Sequence, residues 1–275
     1  EWEKLEELLP EVAWYNNWDR CKRLRKGLKK KGYQIKELKE KEELPKYLKK
    51  NNIRCDYVFC TGDIRTANAE SNHFPDEAAR FLIDLCIAVG TSTDRLFIVP
   101  GNHDVDRDAT GRDETIRKIC FQRNGYYDPK YGKIEEDDLK VVYSGQEEFR
   151  EFLSKIYTAD RMAKYANPLN PHFNVETENF NILHIDSTLT YTKDQESVDL
   201  VIGTKLLQNA LKELNPDKPT VLLSHYPFTS LLQEEKKYVR ELLYRKGVCL
   251  IGIPENSHSL LWSILEICQE DIGLV

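Results

Sequence analysis

The chain has 275 residues, of which 40% are hydrophobic and 31% charged, and its formal net charge is −6 at pH 7. This composition is typical of a soluble globular protein, and it argues against a disordered or fibrous chain. The sequence contains no apolar run close to the roughly 20 residues of a membrane-spanning helix, so we expect no membrane partner.

Positive charge is concentrated near the N-terminus. Between Arg20 and Lys50, fourteen Lys or Arg residues stand against four Glu residues, a local balance of +10. Such a cluster can bind an anionic partner such as a nucleotide or a nucleic acid, although a solvent-exposed helical surface would have the same composition. We predict that residues 1–50 form a basic helical N-terminal segment and that residues 51–275 form the main domain.

After this segment, short apolar runs alternate with amphipathic stretches. The predicted strands are residues 55–60, 95–99, 173–176, 180–185, 220–223 and 248–253. The predicted helices are residues 75–89, 145–164, 204–214, 233–245 and 257–268, and residues 106–140 are predicted to be a polar loop with a short helix. Strands that alternate with helices in this way favour a layered α/β domain.

The chain has seven Cys residues, an odd number, and no Cys-x-x-Cys pair. Several of them lie in predicted apolar strands or helices, where reduced buried thiols are common. We therefore expect a reducing compartment, the cytoplasm.

Three of the predicted strands end in polar residues that can bind a metal. The first is followed by Asp63, the second by Asn102, His103 and Asp104, and a later one by His225. In α/β sheets, functional sites form beyond the carboxyl ends of the strands, so we expect these side chains to meet in one cleft. Carboxylate, amide and imidazole groups suit Mn, Fe or Zn ions.

These residues lie in motifs that resemble those of a known family. Thr61–Asp63, Pro100–Asp104 and Ser224–Pro227 resemble the second, third and fourth motifs of the calcineurin-like metallophosphoesterases. Their order and the helices between them also match, and the second of the three is the most specific. The resemblance extends over roughly residues 50–255. It implies that residues 51–275 form a calcineurin-like phosphoesterase domain. It implies a four-layer α/β/β/α sandwich, which can be incomplete at the termini of this chain.

The resemblance also implies a role for each site residue. Asp63 would bridge two divalent metal ions, Mn²⁺, Fe or Zn²⁺, and Asn102 and His225 would bind the second ion. His103 would lie near the leaving-group oxygen as an acid or transition-state stabiliser, and Asp104 would orient its ring. Such a site hydrolyses a phosphomonoester or phosphodiester, because two cations clamp the phosphoryl group and activate a bridging water.

The chain departs from the family pattern in two places. The family begins with Asp-x-His on its first strand, but residues 1–60 contain no such motif. Either the protein lacks that strand or the strand was removed, and a start without Met favours removal. The fifth motif, normally Gly-His-x-His, is matched only by Asn256 and His258. His258 is thus a candidate ligand of the first metal, or simply a polar residue at a helix start, and the first metal site is predicted to be incomplete.

Two functions remain open from the sequence. One is a metallophosphoesterase, which hydrolyses phosphoric esters, with the activity of this chain reduced by its incomplete first metal site. The other is a catalytically degenerate binding or scaffold module for nucleic acid. His172 and His184 are predicted to be structural, because one precedes a strand and the other lies inside one. The substrate, the metal and the oligomeric state are left open.

Overall fold

Two β-sheets that pack face to face form the centre of the fold. We analysed a computed structural model, in which the chain is described for residues 14–15, 37–38, 43–64, 74–121, 126–192, 199–246 and 248. The strands are β1 (Trp14–Tyr15), β2 (Glu37–Leu38), β3 (Val58–Cys60), β4 (Leu96–Ile98), β5 (Phe173–Glu176), β6 (Asn181–Ile185) and β7 (Thr220–Ser224). The pairs β1–β2, β3–β4 and β6–β7 are parallel, whereas β5 and β6 are antiparallel.

Helices cover the outer faces of the two central sheets. They are α1 (Glu43–Lys50), α2 (Phe74–Val89), α3 (Arg112–Ile116), α4 (Glu136–Ser144), α5 (Glu147–Ser154), α6 (Ala159–Tyr165), α7 (Thr204–Lys212) and α8 (Gln233–Arg245). None of the helices in the described part of the chain is long and apolar enough to cross a bilayer.

In the first sheet, formed by β3 and β4, successive side chains point alternately to its two faces. Val58 and Cys60 of β3 belong to a buried cluster with residues of α1, α2 and α5, whereas Phe59 belongs to a cluster between the sheets. On β4, Phe97 also faces inward, and its ring stacks on that of Phe59 with centroids 5.6 Å apart. Successive strand residues point to opposite faces, so this sheet is buried on both sides.

The second sheet shows the same alternation. Ile182, Val221 and Leu223 pack against the inward residues of the first sheet, whereas Leu183 and Leu222 pack against α7 and α8. The order of layers is therefore helices, sheet, sheet, helices. The predicted four-layer α/β/β/α sandwich is confirmed.

Most predicted elements lie where the sequence pattern puts them, but the predicted helix over 145–164 is wrong. It is divided into α5 and α6, and α4 occupies the end of the region predicted as a polar loop. Tyr157, between α5 and α6, is buried and donates a hydrogen bond from its hydroxyl to the Leu96 carbonyl at 3.0 Å. This contact with the sheet holds the break between the two helices, and no local periodicity reveals it.

The N-terminal region differs from a helical segment at the described positions before α1. Trp14–Tyr15 and Glu37–Leu38 pair as strands, in keeping with the preference of aromatic residues for strands. Helix α1 is found as predicted, and its Leu44 and Leu48 are buried against α2. The domain division at residue 50 stays a prediction. The predicted helix over 257–268 and all but the first residue of the predicted strand over 248–253 lie outside the described residues.

A carboxylate buried at the start of α8 ties three segments together. Glu235 accepts hydrogen bonds from the Ile202 and Gly203 backbone N–H groups at 3.0 and 2.8 Å and from the Tyr127 hydroxyl. Burial raises the pKa of Glu235 to about 7, although each of these donors favours the carboxylate form. The folded protein therefore binds a proton at Glu235 at a pH at which the unfolded chain is ionised.

We expect the contribution of Glu235 to the free energy of unfolding to fall as the pH rises from 4.5 to about 7. Because the folded-state pKa is raised, the stabilising contribution is complete below the unfolded pKa and is lost as the pH passes the folded pKa. The expected change is a few kcal/mol. Urea unfolding curves across this range should show a steeper decline for the wild type than for Glu235→Gln, and parallel profiles would contradict the assignment.

Candidate metal centre

Two tight turns meet at the carboxyl ends of β3 and β4. Gly62 and Asp63 follow β3 with φ angles of 95° and 56°, in the left-handed region that a residue with a side chain seldom adopts. A Cβ atom built on Gly62 would stand 2.2 Å from the Gly101 nitrogen, and one built on Gly101 would stand 2.2 Å from the Asp63 nitrogen. The two backbones can approach this closely only because both positions are glycine.

Substitution of Gly101 by alanine should therefore push the two turns apart. The added methyl group meets the Asp63 backbone, which cannot rotate away, and the Asp63 carboxylate, which the His103 N–H restrains. We expect a loss of about 1–3 kcal/mol of stability from overpacking and a larger loss of metal affinity. Thermal unfolding and Mn²⁺ titration of Gly101→Ala would check this, with Gly111→Ala as control. Gly111, unlike Gly101, has a positive φ, and its nearest contact is a side-chain carbon at 3.7 Å. Equal metal affinity in both variants would contradict the prediction.

Three side chains from the ends of β3, β4 and β7 converge here. His225 follows β7 and is 3% exposed, and its Nδ1 atom lies 2.6 Å from the Thr61 carbonyl oxygen. Its Nε2 atom lies 3.1 Å from Asn102 Oδ1 and 3.6 Å from Asp63 Oδ1. We call Asp63, Asn102 and His225 the trio.

The donor atoms of the trio fit a divalent cation. The Thr61 carbonyl can only accept, so Nδ1 carries the proton, and in the neutral ring Nε2 presents a lone pair. That lone pair faces two oxygen atoms that are also acceptors, an arrangement that a cation between them would satisfy. Atoms bound at about 2.0–2.2 Å to one ion stand roughly 3.0–3.6 Å apart, and both distances from His225 Nε2 to the two oxygens lie in this range.

The trio supplies an amide oxygen as its third donor. Within the described residues, no group of three or more His, Cys, Asp and Glu side chains is placed to hold a metal. The nearby Cys60 offers no thiolate, because burial raises its pKa to about 12. His258, the predicted ligand of the first metal, lies outside the described residues, as does its neighbour Asn256.

His103 and Asp104 lie in the same turn as Asn102. The His103 backbone N–H donates to Asp63 Oδ1 at 3.1 Å, and its ring Nδ1 is buried without a hydrogen-bond partner among the described residues. The Asp104 carboxylate accepts the Gly101 N–H at 2.8 Å. One carboxylate oxygen of Asp104 is thus bound to its own loop, and the orientation of the His103 ring by Asp104 stays a prediction.

A buried arginine, Arg112, holds a segment that contacts the site, although the sequence analysis did not predict a role for it. Arg112 is 1% exposed and donates to the carbonyls of Val142, Thr188, Leu189 and Tyr191. Burial lowers its pKa to about 10, and the negative charge of Asp186 opposes that shift. Arg112 thereby fixes the buried segment that follows β6.

That segment holds the turn of His225. The Ser187 hydroxyl accepts the Tyr226 N–H at 2.8 Å, and the Tyr191 and Tyr226 rings stack with centroids 5.9 Å apart. Only one feature of the sequence points to this segment. Asp186 comes directly after the apolar strand β6, and it accepts hydrogen bonds from the backbone N–H and the hydroxyl of Thr188.

His172 and His184 are packed in the interior, as predicted. The His172 Nε2 atom lies 2.7 Å from the Ile202 carbonyl, and its Nδ1 accepts the Asp186 N–H at 3.1 Å. The His184 ring stacks on Phe173 at 4.5 Å, and burial holds its pKa well below the usual value. Neither ring belongs to the trio.

Comparison with known proteins agrees with this geometry. The family model of the calcineurin-like phosphoesterases matches residues 33–252, a range that contains the whole trio and ends before His258. YydB, an uncharacterized metallophosphoesterase-like protein of Bacillus subtilis (strain 168), is 22% identical over 190 residues. That alignment covers 67% of this chain and 37% of YydB, so the chain spans little more than a third of the length of this relative. No solved structure matches the chain. The chain belongs to the calcineurin-like phosphoesterase family.

Proposed function

We propose that this chain is a metal-dependent phosphoesterase that hydrolyses a phosphomonoester or a phosphodiester. The observation that carries the proposal is the convergence of the trio. A nitrogen lone pair and two oxygen acceptors face one another at the carboxyl ends of β3, β4 and β7. A bound divalent cation, Mn²⁺, Fe or Zn²⁺, would polarise a phosphoryl oxygen and lower the pKa of a bound water.

The protein residues prepare this site in three ways. The Thr61 carbonyl fixes the tautomer of His225, so that its Nε2 lone pair faces the trio. The His103 N–H bonds to Asp63 Oδ1, which restrains the carboxylate. The His103 imidazole, half-buried in the same turn, would donate a proton to the leaving-group oxygen. The first metal, the partner of the ion held by the trio, would use Asp63 together with His258.

Hydrolysis of an aryl phosphomonoester and an aryl phosphodiester with added Mn²⁺ tests the proposal. We expect activity in the wild type, its loss on chelation, and its return with Mn²⁺. Because general acid catalysis contributes about 10²–10⁴-fold, His103→Ala should lower kcat by that factor. His184→Leu, which alters a buried histidine outside the trio, is the control. Equal rates for the wild type and His103→Ala would refute the catalytic role of His103.

The compartment and a nucleic-acid partner are also proposals. Among the described residues, Cys60, Cys86 and Cys120 form no disulfide, which supports a reducing compartment such as the cytoplasm. The basic residues between Arg20 and Lys50 support a nucleotide or nucleic-acid substrate. Binding of single-stranded DNA that weakens steeply with salt would support that substrate class.

A further inference from the structure

A row of aromatic contacts leads from the trio to an arginine. The His225 ring meets the edge of Tyr226 with centroids 4.7 Å apart, and Tyr226 stacks on Tyr191. On the Tyr191 ring lies the guanidinium of Arg107, with its central carbon 5.8 Å from the ring centroid. Arg107 is also only four residues beyond His103 in the same loop. Arg107 is therefore linked to the candidate centre in two ways, through the aromatic contacts and through the loop that contains His103.

The guanidinium of Arg107 has no anionic partner in the described part of the chain. No ion pair or hydrogen bond joins it to another described residue, and the adjoining carboxylate of Asp106 accepts the Asp108 N–H instead. The two arginines that follow it in the chain differ, since Arg117 bonds to Asp113, and Arg112 donates to four carbonyls. Because Arg107 is half-buried, its charge has lost part of its hydration without gaining a counter-charge.

The cation–π contact with Tyr191 uses none of the N–H donors of the guanidinium. Its five N–H groups therefore stay available to an anion. Tyr191 itself is held in place by the bond from Arg112 to its carbonyl. A planar fork of donors on a fixed support is the geometry that binds phosphate in a bidentate manner.

We propose that Arg107 binds a second phosphate of the substrate, next to the scissile one. Two aromatic rings separate Arg107 from His225, so it cannot hold the phosphate that the trio would hold. The substrate class is thus a phosphate ester with a further phosphate group, such as a nucleoside bisphosphate or a 5′-phosphorylated dinucleotide. This inference rests on the proposed function and adds the substrate class to it.

The test compares matched substrates with Mn²⁺ present. One pair is thymidine 3′,5′-bisphosphate and thymidine 3′-phosphate, and the other is the dinucleotide TpT with and without a 5′-phosphate. Charge-assisted hydrogen bonds contribute about 1.5–3 kcal/mol, which corresponds to a factor of about 10–100. In Arg107→Ala we expect the preference for the additional phosphate, as a ratio of kcat/KM values, to fall by that factor, mainly through KM. Arg107→Lys should restore part of it.

Arg95→Ala is the matched control. Arg95 also lies over a tyrosine ring, with its central carbon 5.4 Å from the Tyr57 centroid, but it precedes β4 and so lies at the opposite end of the sheet. The control should keep the wild-type preference. An Arg107→Ala protein with the wild-type preference, or with both substrates slowed equally, would overturn the proposal.

A failure of the proposed function gives a different result. In that case the wild type hydrolyses none of the four compounds. Calorimetric titration of the wild type and of Arg107→Ala with thymidine 3′,5′-bisphosphate then decides whether Arg107 binds the additional phosphate. Binding that weakens in Arg107→Ala supports the anion site, and equal or no binding in both proteins rejects it.

Discussion

Replacement of His225 by alanine is expected to abolish metal binding and to lower kcat by about a thousandfold or more. The imidazole supplies the nitrogen ligand of the trio, and two oxygen donors alone hold a divalent ion weakly. The cation contributes several kcal/mol of transition-state stabilisation, and each 1.4 kcal/mol is about tenfold in rate. Metal content after dialysis and the rate of aryl phosphate hydrolysis measure the two effects.

A control separates loss of the ligand from loss of structure. His225 is buried, so its removal also leaves the Thr61 carbonyl without its donor and costs some stability. His184→Leu alters a buried histidine in the same sheet and should retain both metal and activity. A folded His225→Ala protein that binds Mn²⁺ as tightly as the wild type would exclude the trio as the metal site.

Replacement of Arg112 by methionine is expected to lower the free energy of unfolding by about 4 kcal/mol or more. The side chain is fully buried, and its loss leaves several carbonyl oxygens without donors. Each buried acceptor that loses its partner costs about 1–3 kcal/mol. Urea unfolding at neutral pH measures the difference, and Arg112→Lys should fall between the two because an ammonium cannot reach all the carbonyls.

Arg150→Met is the matched control for Arg112. Arg150 donates to a single carbonyl, that of Tyr143 at 3.0 Å, and it is only half-buried. Its removal should cost about 1 kcal/mol. If Arg112→Met proved no more destabilising than Arg150→Met, the segment after β6 would not depend on Arg112.

The meeting of the trio could be predicted because it follows from the ends of strands. Asp63, Asn102 and His225 each lie within four residues of the end of an apolar strand, and parallel strands bring their carboxyl ends to one edge of a sheet. The pairing of β3 with β4 satisfies this condition, and the packing of the two sheets brings β7 to the same place. The location of these residues near the ends of strands was therefore sufficient to predict that they meet.

The supporting residues could not be predicted, because their partners are distant in the chain. Arg112 lies in a stretch that is polar in sequence, and its carbonyl partners follow it by 30 to 79 residues. Its burial follows from tertiary packing, which overrides a local pattern of polarity. The bond of Asp104 to Gly101 is local, yet the choice between that N–H and the His103 ring depends on the turn's conformation.

A crystal structure of the protein grown with Mn²⁺, with anomalous diffraction data, tests the metal centre most directly. We predict an anomalous peak within bonding distance of His225 Nε2, Asn102 Oδ1 and the Asp63 carboxylate. Manganese bound only elsewhere, with no ion within bonding distance of Nε2, would contradict the assignment of the trio.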